Sequence, residues 1–318
     1  MAQTTIPAIT TDAASSRPVA LSLLKSLRPA QWTKNLIVFA GLLFGQRGTS
    51  PAFLDAHAIG QAIAAFGIFC ALSGVVYLIN DVADREADRI HPLKRHRPIA
   101  SGAVPPALAI ATAAALGIVA LGGAWMLRPA FAVVALGYVA LQTAYSGPLK
   151  HVVIIDVLAI AIGFVLRAVA GAVAIDVPIS HWLLILTVLL ALFLALSKRR
   201  HELVLLADGA TGHRPILEEY SPYLLDQMIA VVTASTLISY VIYTVSPETV
   251  QKFHTDYLGL TLVFPLYGIF RYLYLVHRKE GGGSPADMLL NDRPLLACVA
   301  LWAVAVAAIL YGTSLVNG

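Results

Sequence analysis

Nine runs of apolar residues divide this chain, at about 31–46, 57–80, 105–127, 129–146, 151–175, 181–197, 224–246, 258–276 and 294–315. Each is of roughly the length a helix needs to cross about 30 Å of hydrocarbon. A chain cut this way has little choice of fold, because inside a bilayer every backbone polar group must be satisfied within the segment. Only 13% of its 318 residues are charged and 58% are hydrophobic, with mean hydropathy +0.77. Soluble domains carry about 25% charged residues. The expected class is therefore an all-α polytopic membrane protein of about nine transmembrane helices. The run at 31–46 has the shortest apolar core, and the boundary between 127 and 151 is soft. The first 20 residues show no basic region followed by an apolar core. They read as a disordered cytoplasmic tail rather than a secretory signal, with one transmembrane domain over 21–318. Cys70 and Cys298 both lie in apolar runs and imply neither a disulfide nor a zinc framework.

An odd number of spans puts the termini on opposite sides, and the positive-inside rule sets which is which. With the N-terminus inside and the C-terminus outside, the inner segments hold 18 of the 22 Lys and Arg residues. The outer segments hold only Arg47, Arg128 and Lys252, and Arg167 lies within a span. The longer polar loops then fall on the cytoplasmic face, where chemistry on soluble phosphorylated metabolites is expected.

One of those loops begins with an acidic run, Asn80, Asp81, Asp84 and Asp88, and continues into Lys94, Arg95 and Arg97. At about 100° per residue the four acidic or amide positions fall within roughly a 100° arc of one helix. Oxygen donors gathered on one face suit Mg²⁺, which takes carboxylates and leaves positions for phosphate. The cations beyond suit the phosphates themselves. The competing reading is a solvated loop of mixed charge.

Other charged groups have two readings each. Lys34 and Asn35, within Arg28-Pro-Ala-Gln-Trp-Thr-Lys-Asn35, are either part of an interfacial anchor with Trp32 or point into a cavity to hold phosphate. Tyr145 and Lys150 flank the turn before the fifth span as interfacial groups or ligands. Asp156 falls inside that span, where a carboxylate is costly unless paired or facing water. Gly163 and Arg167 follow on within about 40° of it on the same helix. Arg167 is either a structural clamp or a cavity group. Ser197-Lys198-Arg199-Arg200-His201-Glu202 is either a positive-inside flank or a phosphate clamp, and Asp287, Asp292 and Arg293 are weaker candidates. The chain carries no GxxxxGK[ST], HExxH or GxSxG motif and no Cys/His metal spacing.

Taken together, these stretches resemble the UbiA superfamily of intramembrane prenyl-group enzymes, over nearly the whole chain from Arg28 to Leu315. The carrying motif is Asn80-Asp-x-x-Asp-x-x-x-Asp88. Six stretches are similar to its decaprenyl-phosphate phosphoribosyltransferase branch. They are Arg28-Pro-x-Gln-Trp-x-Lys-Asn-Leu, Asn80-Asp-Val-x-Asp-x-Glu-x-Asp-x-x-His-Pro-x-Lys-Arg-x-Arg-Pro-Ile-Ala-Ser-Gly102, Tyr145-Ser-x-x-Leu-Lys150, Asp156-Val, Gly163-Phe-Val-Leu-Arg167 and Ser197-Lys-Arg-Arg-x-Glu-Leu203. The resemblance implies helices around a central cavity open to the cytoplasm, in a multi-pass protein of the inner cell membrane. It implies Mg²⁺ as cofactor, held by Asn80, Asp81, Asp84 and Asp88, with Asp84, Asp88, Lys94 and Lys150 in the catalytic machinery. Lys34, Asn35, Arg97, Tyr145, Lys150, Asp156, Arg167, Lys198, Arg199, Arg200 and Glu202 are the expected substrate-binding set. The implied partners are 5-phosphoribosyl diphosphate (PRPP), a polyprenyl phosphate and the membrane, with no nucleic acid, in a step that supplies cell-wall arabinan. Homo-oligomerisation is left open. Aromatic prenyltransferases of the superfamily carry a second Asp-rich motif after the sixth span, where this chain has Lys198, Arg199 and Arg200 and only scattered acids. That departure speaks against an aromatic or quinone-type prenyltransferase, the first alternative. The second is a polyprenyl-phosphate transporter without chemistry, which should show broken helices and inverted repeats.

Overall fold

The computed structural model describes residues 18–47, 50–92, 94–207, 215–278, 288 and 291–316. Most of the expected tail, with Arg214, Lys279 and Asp287, lies outside the described residues, and Val19 already begins a helix.

The chain forms α1 (Val19–Ser26), a 3₁₀ segment (Pro29–Phe39) running into the short α2 (Ala40–Phe44), and a two-residue hairpin of β1 (Gln46–Arg47) with β2 (Ser50–Pro51). The main helices follow: α3 (Ala56–Ala83), α4 (Arg85–Ile90), α5 (Pro106–Leu127), α6 (Pro129–Ser146), α7 (Ile155–Ala174) and α8 (His181–Ala207). The chain closes with α9 (Pro222–Val245), α10 (Pro247–Phe253), α11 (Val263–Arg278) and α12 (Arg293–Val316). Among the described residues, eight helices are long and apolar enough to cross a membrane.

The ninth expected span, 31–46, takes a different form. It is 3₁₀ for 11 residues and α for only 5. The 3₁₀ rise of about 2.0 Å per residue stretches residues 29–44 to roughly 30 Å, so a run that is short on α-helical pitch still has the length to cross. Its path is set by close backbone contact. A Cβ added at Gly171 of α7 would lie 1.8 Å from the Val38 carbonyl oxygen, and one at Gly41 would lie 2.9 Å from the Ala172 backbone.

Helix starts follow local chemistry. Proline opens α5, α6 and α9, where its missing N–H would have had no partner anyway. The Asp55 carboxylate caps α3, accepting from the His57 and Ala58 N–H groups at 2.8 and 3.3 Å. The His57 N–H above all, then Ala58 and Arg47, holds that carboxyl below the usual range.

Sequential helices pack as neighbours from α5 through α9, α3 packs on α5, and α11 packs on α12. The segment 29–44 lies between α3 and α7. One apolar core, including Val38, Phe69, Phe131, Tyr138 and Ala170, joins that segment to α3, α6 and α7. A second, including Val157, Phe193, Leu225, Tyr272 and Leu295, joins α7, α8, α9, α11 and α12. A cavity of about 1680 Å³ runs between them.

Candidate active site

The cavity has a charged end, an apolar middle and a second polar end. The charged end takes Asn80, Asp81 and Asp84 from the α3–α4 junction, Lys94 and Arg97 from the loop beyond, and Arg28 from the start of the 3₁₀ segment. Leu183, Leu186, Leu190, Phe264 and Val299 line the middle, and Gln46, Asp176, Glu248 and Lys252 the far end.

The acidic motif spans a helix junction rather than one unbroken helix. α3 ends at Ala83 and α4 begins at Arg85. The helical ladder nevertheless continues across it, since Asp84 N–H donates to Asn80 O and Asp88 N–H to Asp84 O, both at 2.8 Å. Asp81 and Asp88 are buried and carry their counter-charges within the chain. Arg97 Nη1 donates to Asp88 at 2.7 Å and to Asp81 at 3.2 Å, and Arg28 Nη2 also donates to Asp81. The Arg28 guanidinium carbon sits over the Tyr77 ring, 4.6 Å from its centroid. Asp84 is exposed, with no hydrogen bond or ion pair from its carboxylate among the described residues.

Among the described residues no three His, Cys, Asp or Glu side chains form a ready metal cage. Asn80, Asp81 and Asp84 do bring two carboxylates and an amide oxygen to one end of the cavity. Such a partial set of hard oxygen donors fits Mg²⁺, which keeps waters and shares its shell with phosphate.

A second network surrounds Arg199, which is 2% exposed. Its Nε donates to Asp156 at 2.9 Å, Nη1 to Glu202 at 2.6 Å, and Nη2 to the Tyr145 hydroxyl at 3.3 Å. Tyr220 donates its hydroxyl proton to Asp156 at 2.8 Å while accepting from Ile154 N–H. Burial pushes that phenol up to about 12, so it stays protonated and available to donate at neutral pH. Asp156 thus ties α7 to α8 and to the loop before α9. Removing it leaves Glu202 as the remaining counter-charge of the buried guanidinium and strands the Tyr220 hydroxyl, a loss that typically costs about 1–3 kcal/mol. Asp156→Ala is expected to lower the thermal midpoint in detergent clearly, whereas Asp156→Asn, which keeps the acceptor, lowers it less.

Deeper along α7, Arg167 donates to Asn35 Oδ1 and the Tyr138 hydroxyl at 2.8 Å and to Gly163 O at 2.9 Å. Asn35 is fully buried, and its amide nitrogen reaches Cys70 Sγ and Ser73 Oγ at 3.4 Å. Both readings of Arg167 therefore meet in one place, since it clamps three segments and also lines the cavity.

Of the residues singled out in the sequence, Lys34, Asn80, Asp81, Asp84, Lys94, Arg97, Tyr145, Lys150, Arg167, Lys198 and Arg199 line this one cavity. Asn35, Asp88, Asp156, Arg200 and Glu202 do not, and each except Arg200 bonds to a residue that does. Arg200 turns to Asp226 and shares it with His277. Asp292 accepts from Arg271 and caps α12. Arg28, which opens the Arg-Pro-x-Gln-Trp stretch, is a further site group beyond those singled out in the sequence. Ser73, Tyr77 and Tyr138 sit in apolar runs that gave no signal.

The model of the UbiA prenyltransferase family matches residues 35–291. The chain belongs to this family. It is 34% identical to the decaprenyl-phosphate phosphoribosyltransferase of Mycobacterium tuberculosis H37Rv, over 91% of this chain and 95% of that protein. It is 33% identical to the protein of the same name from Corynebacterium glutamicum, over 91% and 86% of the two chains. The solved structure of a UbiA homolog from Archaeoglobus fulgidus, bound to DMAPP and Mg²⁺, superposes with a TM-score of 0.68 at 18% identity, covering 91% of this chain and 99% of that one. At that identity the likeness concerns the UbiA fold.

Proposed function

We propose that this UbiA-family protein transfers 5-phosphoribose from PRPP to a polyprenyl phosphate and releases pyrophosphate. The observation that carries this reading is the charge of the cavity. The cavity that opens on the acidic motif is also lined by Arg28, Lys34, Lys94, Arg97, Lys150 and Lys198, where a pair of phosphorylated substrates needs cations. The relatives named above, at 34% and 33% identity, support the same reaction.

The acidic end faces the cytoplasm in this reading, as the loop charges require, and PRPP enters there. Asn80, Asp81 and Asp84 would hold Mg²⁺ with the pyrophosphate of PRPP, with Asp88 behind them. A bound Mg²⁺ supplies neutralisation of the charge that grows on the leaving group. Lys94, Arg97 and Lys150 add fixed positive charge to the same oxygens, the kind of electrostatic assistance that often dominates catalysis. The acceptor needs no general base, because a phosphate monoester is already ionised at pH 7. Its oxygen forms the new bond to ribose C1 as the bond from C1 to the pyrophosphate oxygen breaks, and that electron pair leaves with pyrophosphate. The pathway served would be supply of a cell-wall arabinan precursor from the inner membrane.

Purified protein given PRPP, Mg²⁺ and a polyprenyl phosphate is expected to release pyrophosphate only when all three are present. Release that requires a polyprenyl diphosphate and an aromatic acid instead would overturn the reading.

A further inference from the structure

The cations of the cavity fall into two sets. Arg28 and Arg97 are neutralised by Asp81 and Asp88, and Arg199 by Asp156 and Glu202. Lys34 and Arg167 make no ion pair among the described residues, yet both line the cavity. Arg167 is 5% exposed and is held by neutral groups alone: the Asn35 and Gly163 oxygens, the Tyr138 hydroxyl, and the Tyr138 and Phe164 rings at 4.6 and 5.1 Å. Lys34 is the chain neighbour of the Asn35 that Arg167 grips. Two uncompensated positive charges thus line the same cavity inside the bundle, where a lone cation is strongly disfavoured. The segment carrying Lys34 cannot draw back, because it is seated backbone to backbone on Gly171 and Ala172.

Depth separates this pair from the acidic motif. Arg167 Nη1 bonds to Gly163 O, seven residues along α7 from Asp156, which places the guanidinium about 10 Å further into the bundle than the Asp156–Arg199 pair. Beyond it the wall is Leu183, Leu186, Leu190, Phe264 and Val299. Lys94 and Lys150 also lack ion pairs among the described residues, but Lys94 is exposed at the charged end and Lys150 sits in the loop before α7. We propose that Lys34 and Arg167 form the subsite for the phosphate of the lipid acceptor, while Lys94 and Lys150 serve the soluble donor. Resting on the transfer proposed above, this assignment divides its two phosphate monoesters by depth. The lipid's monoester continues into an apolar chain that needs the apolar wall. The ribose 5-phosphate has no such need and stays near the charged end.

The test is direct binding to protein in nanodiscs of neutral lipid, with three probes: a short polyprenyl phosphate, the matching polyprenol, and PRPP with Mg²⁺. Wild-type protein is expected to prefer the lipid phosphate over the alcohol by about tenfold or more, the worth of a charge-assisted hydrogen bond. In Lys34→Met that preference falls to within about threefold, with PRPP binding unchanged; in Lys94→Met the pattern reverses. Lys34 has no ion pair to lose among the described residues, so the variant is expected to elute as wild type in size exclusion. Tyr138→Phe, which removes one anchor of Arg167 without removing charge, should reduce the preference in part. Unchanged preference in Lys34→Met, or a loss confined to PRPP, overturns the assignment. A Lys34-dependent preference in protein that forms no pentosyl lipid would overturn the reaction and leave the subsite standing.

Discussion

Asp84→Ala is expected to slow pyrophosphate release by about 100- to 1,000-fold while leaving thermal stability unchanged. Asp84 is the cleanest probe of the acidic motif. Asp81 and Asp88 are buried and bonded to Arg28 and Arg97, so their removal disturbs the packing of two cations as well as any metal site. The Asp84 carboxylate is exposed, makes no ion pair among the described residues, and lines the cavity. Its backbone N–H bond to Asn80 O survives the substitution. What alanine removes is therefore an oxygen donor at the cavity wall and little else. Mn²⁺ binding in the presence of pyrophosphate should weaken in parallel. Release within a few-fold of wild type would show that the motif does not hold the metal through this residue.

Gly171→Val is expected to have the largest effect on folding. Even a bare Cβ there would stand 1.8 Å from Val38 O and 2.7 Å from the Val38 carbonyl carbon, and neither is the end of a flexible side chain that can swing aside. Segment 29–44 and α7 must separate to admit it, which also pulls Asn35 away from Arg167. Overpacking a tight site costs about 1–3 kcal/mol where side chains can yield, and more where backbone must move. We expect a thermal midpoint about 10 °C or more lower, or no monodisperse protein. Gly137→Ala is the control: nothing stands within 4 Å of the added Cβ, and stability should stay at the wild-type value. A wild-type melting curve for Gly171→Val would mean that the two backbones do not meet.

Much of this was legible in the sequence, and the remainder failed for physical reasons. Apolar run length marked the eight long helices, because a bilayer fixes how many residues a span needs. The acidic motif and the Lys198–Arg200 cluster announced themselves as charge in a chain that carries little of it. The helical repeat put Asp156, Gly163 and Arg167 on one face of α7, but it could not name their partners. That Asp156 meets Arg199, 43 residues on, and that Arg167 meets Asn35, 132 residues back, are facts of tertiary packing. Arg199 and Arg200 are chain neighbours with opposite fates, one buried in the cavity wall and one paired to Asp226, because adjacent residues point about 100° apart on a helix. The 3₁₀ winding of Pro29–Phe39 had no local signature beyond Pro29 itself. Ser73 and Tyr138 complete the Arg167 cluster from within apolar runs, where one hydroxyl does not interrupt a hydrophobic pattern.

The most direct measurement is mass identification of the lipid product. Purified protein in nanodiscs would receive PRPP, Mg²⁺, a polyprenyl phosphate, a polyprenyl diphosphate and an aromatic acid together. The expected product is the polyprenyl phosphate enlarged by one 5-phosphoribosyl group, formed with one equivalent of pyrophosphate and absent with Asp84→Ala. A prenylated aromatic acid as the sole product, or an unmodified lipid phosphate with PRPP intact, would contradict it.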